Sequence, residues 1–330
     1  MEKYMNLNIN INRKRKKSFS RAILSFLKWL GISLGILILI GFSYQQIVTR
    51  ITADKYPTVG EIVDIGEYSL HLYGVGEAKN RPTIILESGL GTPTSYKDWE
   101  NIQSKLSDYT RVISYDRAGY GWSDAAMNER TAEQIADDLH NLLNRAGENG
   151  PFILVGHSFG GFTSQVFSQK YKEDVAGLVL IDSSHVDDEG GFSKFESYLV
   201  RGLKEIGVGR LLGSINMLPL HEYFANDEVA VHFFHQRFYD ADQISELGFL
   251  MTKSKDQVRA AQMEGYGELP LYILSAEHKD YPEWSDLQAQ TASLSRNSKH
   301  IVVNDASHYI HLDQPEVVIE SIVEMVENLK

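Results

Sequence analysis

Residues Gly156-His157-Ser158-Phe159-Gly160 set a hydroxyl between two glycines, after the apolar run Phe152 to Val155 and before a helix-like run from Gly161 to about Tyr171. A serine on a sharp turn from a buried strand to a helix fits the nucleophile-elbow pattern G-x-S-x-G. So tight a turn leaves no room for side chains at 156 and 160, which accounts for the glycines. The following helix would point its free N–H groups, the positive end of its dipole, at the same spot. An acyl oxyanion would form there. The pattern predicts nucleophilic catalysis by Ser158.

The bulk composition narrows the classes. The chain has 330 residues, 43% of them hydrophobic and 23% charged, enough for a globular domain of ordinary size plus an extra segment. It has no cysteine, so a thiol nucleophile, a disulfide framework and a zinc-thiolate site are excluded. Net charge is −12 and unevenly spread: residues 1–50 carry nine basic residues and one acidic, leaving 23 basic against 43 acidic in the rest. An acidic body without a basic stripe argues against nucleic acid as a partner.

The basic residues gather at the start. Met1 to Asn12 is polar and is expected to be disordered; Arg13-Lys14-Arg15-Lys16-Lys17 and Arg21 follow. Residues 22–44 are almost wholly apolar, long enough to span a bilayer, with Trp29 and Tyr44 placed for its two interfaces. Gly41-Phe42-Ser43-Tyr44-Gln45 is a poor cleavage site, so a retained signal anchor is predicted. The positive-inside rule then puts residues 1–21 in the cytoplasm and the rest on the outer side of the cell membrane, crossed once.

After a linker at 45–60, Glu61 to Ile65 and Ser69 to Tyr73 read as an antiparallel hairpin. Buried strands are predicted at Thr83 to Leu86, Arg111 to Tyr115, Phe152 to Val155, Val175 to Ile181, Leu271 to Leu274 and His300 to Val303, with amphipathic helices at Thr131 to Arg145 and about Pro315 to Leu329. This alternation implies an α/β fold with a mostly parallel sheet and helices on both faces. The rhythm breaks at 187–268, read as a helical cap over the C-terminal strand ends and inserted between the sixth and seventh strands. It divides the core into 61–186 and 269–330. His232 and His235, and His185 beside Asp187-Asp188-Glu189, have residue types that bind metals. They read as a cap helix and a solvated loop.

Gly89-Leu90 after the third strand, Asp116-Arg117-Ala118-Gly119-Tyr120-Gly121-Trp122-Ser123 after the fourth, the serine turn, and His308 after the last strand occur in that order. In this the chain resembles the α/β-hydrolases over roughly residues 58–330. The resemblance implies a Ser…Asp…His order of catalytic residues. His308 would be the base that Ser158 needs; Ala306 and Ser307 before it are small enough to let its loop approach the turn, while His311, His278 and His300 read as surface-loop histidines. Family members mostly place the acid after the strand equivalent to Leu271–Leu274, commonly in a Gly-x-x-Asp turn. Here that stretch is Ser275-Ala276-Glu277-His278-Lys279-Asp280, without the glycine and with Asp280 one residue late. Others place it at the end of the preceding strand, and Leu178-Val179-Leu180-Ile181-Asp182 fits that version. Asp182 is preferred, with Asp280 and then Glu277 as alternatives. The backbone N–H groups of Leu90 and Phe159 would form the oxyanion hole, although Ser88 stands where the family often has histidine. Asp116 and Arg117 are expected to tie loops under the site.

The resulting expectation is a membrane-anchored serine hydrolase acting on a carboxylic ester, or an amide or thioester, of a small to medium, partly apolar molecule. No cofactor or metal is called for. A ligand sensor on the same fold, or a cofactor-free haloperoxidase or C–C hydrolase using the same three residues, are the alternatives.

Overall fold

Continuous apolar runs make strands that are buried on both faces, and five of them form the centre of the molecule in this computed structural model. They are β3 (Thr83–Glu87), β4 (Val112–Asp116), β5 (Phe152–His157), β6 (Val175–Ile181) and β7 (Leu271–Ala276). β1 (Glu61–Asp64) and β2 (Ser69–Val75) form the expected hairpin at one edge, and β8 (Ser298–Val303), more exposed, closes the other. The eight strands are ordered β1-β2-β4-β3-β5-β6-β7-β8. β2 is antiparallel to both β1 and β4, and every other pair is parallel. The structure describes residues 2–329 except 127, 189, 191, 192 and 219. Glu189, part of the acidic run singled out above, lies outside the described residues.

Each sheet face has its own core. On one, the helices Ala132–Ala146 and Phe159–Lys170 bury Leu139, Leu142, Phe162 and Phe167 against Ile85, Leu154 and Leu178. On the other, Glu100–Leu106 and Pro315–Asn328 bury Ile102, Leu106, Ile322 and Met325 against Ile84, Ile153 and Val179. The first of these helices has clear local signals. Thr131 accepts from the Gln134 amide at its start, and Gly147 ends it in the left-handed region (φ 75°).

The 187–268 segment is helical, as expected, with helices at Lys194–Glu205, Val208–Ser214, Glu222–Ala225, Glu228–Arg237, Ala241–Leu250 and Lys253–Gln262. The last packs on the helix that follows Ser158, and its Val258 joins that helix's core cluster. One expectation at the N-terminus needs correction. Met1 to Asn12 is read from the sequence as disordered; instead one helix runs from Glu2 to Ile51, taking in the first residues of the 45–60 segment. Adding residues to a formed helix costs far less than nucleating one, so the apolar span carries its polar flanks with it. Beyond the span, Gln45 donates to the His235 carbonyl (2.9 Å) and Arg210 donates to Gln45 Oε1 (2.7 Å), fixing the helix end to the cap segment. Residues 21–51 of this helix are long and apolar enough to cross a membrane, and none of the apolar window is buried.

Candidate active site

β5 ends at His157, and Ser158 turns the chain into the helix Phe159–Lys170 with φ 53° and ψ −122°. A non-glycine residue there is strained. The strain is held by the end of β6 and the loop after it, since Ser158 N–H donates to the Ile181 carbonyl (3.1 Å) and Ser184 N–H donates to the Ser158 carbonyl (3.1 Å). The glycines are required by contact. A Cβ at 156 would lie 2.6 Å from the Gly160 carbonyl oxygen, and one at 160 would lie 2.4 Å from that of Glu87.

Asp182 follows β6 directly, also with positive φ (40°), and its carboxylate is fully buried. Four donors converge on it. Oδ1 accepts from Ala276 N–H (2.9 Å) and Trp284 Nε1–H (2.7 Å), while Oδ2 accepts from His308 Nδ1 (2.6 Å) and His278 Nε2 (2.9 Å). Burial by itself would raise this carboxyl, but the hydrogen bonds from His278 and His308 outweigh it and bring its pKa down to about 2. The same bond to Asp182 raises His278 above the usual imidazole value. Asp280 and Glu277 are exposed, and neither is hydrogen-bonded to His308.

The His308 loop is drawn to the serine turn by His157, whose Nε2–H donates to the His308 carbonyl (2.9 Å). Burial, then the neighbouring His311 and His308, push His157 well below its ordinary pKa, so its ring is neutral. Under the loop, His311 donates to Asp98 Oδ1 (2.9 Å) and lies against Trp99, whose Nε1–H donates to Ser88 Oγ (2.9 Å). His311 and His278, expected as surface histidines, are therefore tied to carboxylates beneath and beside the loop. No hydrogen bond is formed by Ser158 Oγ among the described residues.

Arg117 holds the opposite wall. It donates to the carbonyls of Ser88 (2.6 Å) and Gly89 (3.1 Å) and pairs with Glu87 and, through two bonds, with Glu246 from the helix Ala241–Leu250. This fixes the backbone just before Leu90. A Cβ at Gly89 would sit 2.9 Å from His157 Nδ1 and 3.1 Å from Ser158 Cβ, so only glycine lets this loop lie on the turn. The amides of Leu90 and Phe159 donate to no protein acceptor among the described residues. Asp116 lies one layer deeper, accepting from Ser95 N–H (2.6 Å) and bonded to His71 (2.8 Å).

A cleft of about 520 Å³ opens beside His308, lined also by His278, Trp284, Tyr281, Asp188 and Gly190. Sequence reading missed His278, Trp284, His157, Asp98 and Glu246. Asp98 stands beside Trp99 and His157 inside the glycine turn, the only local hints of such roles. Among the described residues, two groups have metal-ligand spacing, Asp98/His157/His311 and Asp182/His278/His308. Neither is a pair suggested by the sequence, and in both a carboxylate is already hydrogen-bonded to imidazole N–H groups.

A sequence model described as "alpha/beta hydrolase fold" matches residues 82–315. An uncharacterized protein of Schizosaccharomyces pombe is 26% identical over 288 residues, which are 78% of this chain but 53% of that protein, so the chain spans about half of that relative's length. The 2-(acetamidomethylene)succinate hydrolase of Mesorhizobium japonicum is 24% identical over 292 residues, 86% of this chain and 100% of that one. A thermophilic esterase from Thermogutta terrifontis shares the fold with a TM-score of 0.60 at 23% identity, covering 82% of this chain and 98% of the esterase. With more than two thirds of its length matched and the sheet order described above, the chain belongs to the alpha/beta hydrolase fold family.

Proposed function

We propose that the protein is a membrane-anchored serine hydrolase that cleaves a carboxylic ester through an acyl-enzyme on Ser158. The observation that carries this reading is the bond between Asp182 and His308 Nδ1 (2.6 Å), on a loop that His157 draws to the serine turn. A carboxylate accepting from Nδ1 keeps the proton on that nitrogen and leaves Nε2 as a lone-pair base. His308 Nε2 takes the Ser158 proton as Oγ attacks the ester carbonyl. The oxyanion that forms is held by the Leu90 and Phe159 amides. Collapse of the tetrahedral adduct breaks the C–O bond, and the alcohol leaves with the proton from His308. Water, deprotonated by the same nitrogen, then releases the acid. Residues 22–44 would hold the catalytic domain at the cell membrane, crossing it once with the basic N-terminus in the cytoplasm.

A fluorophosphonate probe should label the full chain, and S158A should lose both labelling and p-nitrophenyl ester turnover. Labelling that persists in S158A refutes the assignment. An enzyme cycles many times per mole, whereas a ligand sensor on this fold reacts once or very slowly.

A further inference from the structure

The helix Lys194–Glu205 is turned inside out for a water-soluble cap. Its start is well fixed by a capping box between Ser193 and Glu196. Inward it buries Ser197 and Lys204, along with part of Val200; the Lys204 ammonium is held by Asp240 and by the Gln236 carbonyl (3.2 Å). Outward it shows Phe195, Tyr198, Leu199 and Leu203, spaced as one helical face, with Phe195 76% and Leu199 52% exposed. The face continues past the next helix, Val208–Ser214, through Leu211 (63% exposed) and Ile215. A soluble surface seldom carries so many neighbouring large apolar side chains, and an amphipathic helix in water buries its apolar side.

The place of this face in the molecule says what covers it. Where it ends, a Cβ on Gly41 would lie 2.3 Å from the Ile206 carbonyl oxygen, so the N-terminal helix touches the cap backbone there. Arg210 bonds to Gln45 (2.7 Å) and Thr49 (3.2 Å), and Gln46 bonds to Glu205 (2.9 Å). Gly41 to Tyr44 is also where the apolar span ends. Residues 22–40 rise by roughly 28 Å at 1.5 Å per residue, about the thickness of a hydrocarbon layer. The exposed cap face is therefore joined to the chain at the depth where hydrocarbon gives way to headgroups.

We propose that the helices Lys194–Glu205 and Val208–Ser214 lie in the interfacial layer of the bilayer that residues 22–44 cross. Phe195, Leu199, Leu203 and Leu211 reach the acyl chains while Lys204 faces the protein. This rests on the membrane-span reading and is independent of the ester chemistry. It also narrows the substrate class. The cleft beside His308 is lined by Asp188 and Gly190, a few residues before the first of these helices, and a cap seated in the lipid surface would set it to receive an apolar ester dissolved in the membrane.

The absence of native cysteine allows single labels in the full chain. L199C, L211C, L37C in the span and S298C at the opposite rim of the sheet would each carry a fluorophore, in phosphatidylcholine vesicles with and without doxyl-labelled lipid. Quenching at L199C and L211C as well as L37C, with none at S298C, is expected. Quenching at L37C alone overturns the interfacial cap and leaves the anchor standing. No quenching at L37C overturns the anchor and the proposal with it. Label–label contact between copies at L199C, without lipid quenching, shows a dimer face and also overturns it. In a second arm, F195S/L199S should keep its turnover of soluble p-nitrophenyl acetate and lose about tenfold on a long-chain p-nitrophenyl ester held in vesicles. Equal losses on both esters refute delivery from the membrane.

Discussion

Replacing Asp182 by asparagine tests the proposed chemistry most sharply, because the two residues differ by one atom at a site with four donors. The carboxylate accepts from Ala276 and Trp284 on one oxygen and from His308 and His278 on the other. An asparagine can satisfy only one of these pairs. If its oxygen faces Ala276 and Trp284, its amide nitrogen faces His308 Nδ1. That imidazole must then accept at Nδ1 and carry its proton on Nε2, the nitrogen needed as base. If the amide turns over, it sets N–H groups against two backbone and indole donors instead. A wrong tautomer in this arrangement costs on the order of 10⁴ in kcat, roughly 5 kcal/mol of barrier. The assay is p-nitrophenyl ester turnover by the full chain in detergent, with near-ultraviolet circular dichroism to check the fold. D280N should stay within about twofold of the parent, being an exposed surface change. A D182N enzyme that keeps more than a tenth of its activity, or a D280N enzyme that loses as much as D182N, would refute the role given to Asp182.

The same carboxyl makes stability depend on acid. Its pKa of about 2 lies below the ordinary 3.8, so it contributes roughly 2 kcal/mol that is complete above pH 4 and lost as pH falls through 2. Urea unfolding at pH 6 and pH 3 should show the parent losing about 1 kcal/mol more than D182N. G89A brings a methyl against His157 and Ser158; displacement of the turn by a fraction of an ångström should lower kcat by about 10²-fold with little change in melting temperature. R117M strands Glu87 and Glu246 as buried charges. It should cost about 3–5 kcal/mol by urea unfolding, and a loss under 1 kcal/mol would show that water reaches them.

The parts legible in the sequence are those set by local pattern. β3 to β7 could be read because strands covered on both sides are continuous apolar runs, and the serine turn because steric crowding demands its glycines at fixed spacing. Ser158, Asp182 and His308 could be named singly, but the Asp182–His308 bond joins positions 126 residues apart and has no local signature. His311 shows the limit most clearly. Its sequence neighbours are those of a loop, and the carboxylate that buries it, Asp98, is 213 residues away. Arg117 and Glu246, 129 residues apart, are hidden in the same way. The start of the N-terminal helix is not legible because polarity marks exposure to water and says little about helicity when an apolar span is already helical.

In the proposed mechanism the position of the acid shapes the rest of the site. With a carboxylate just after β6, the segment after β7 need not supply one, and the end of β7 and that segment supply donors instead: Ala276 N–H, the His278 ring and the Trp284 indole. Two of these, His278 and Trp284, also form the wall of the cleft. The group that keeps Asp182 ionised is thus the surface a bound molecule would touch. An acyl or alcohol group that took the His278 N–H for itself would leave Asp182 with three donors and strengthen its hold on His308 Nδ1, since fewer partners would share Oδ2. In the proposed mechanism substrate contact and basicity at Nε2 would therefore be coupled through one carboxylate, whereas an acid at Asp280, which is exposed, would leave the cleft wall and the proton path independent.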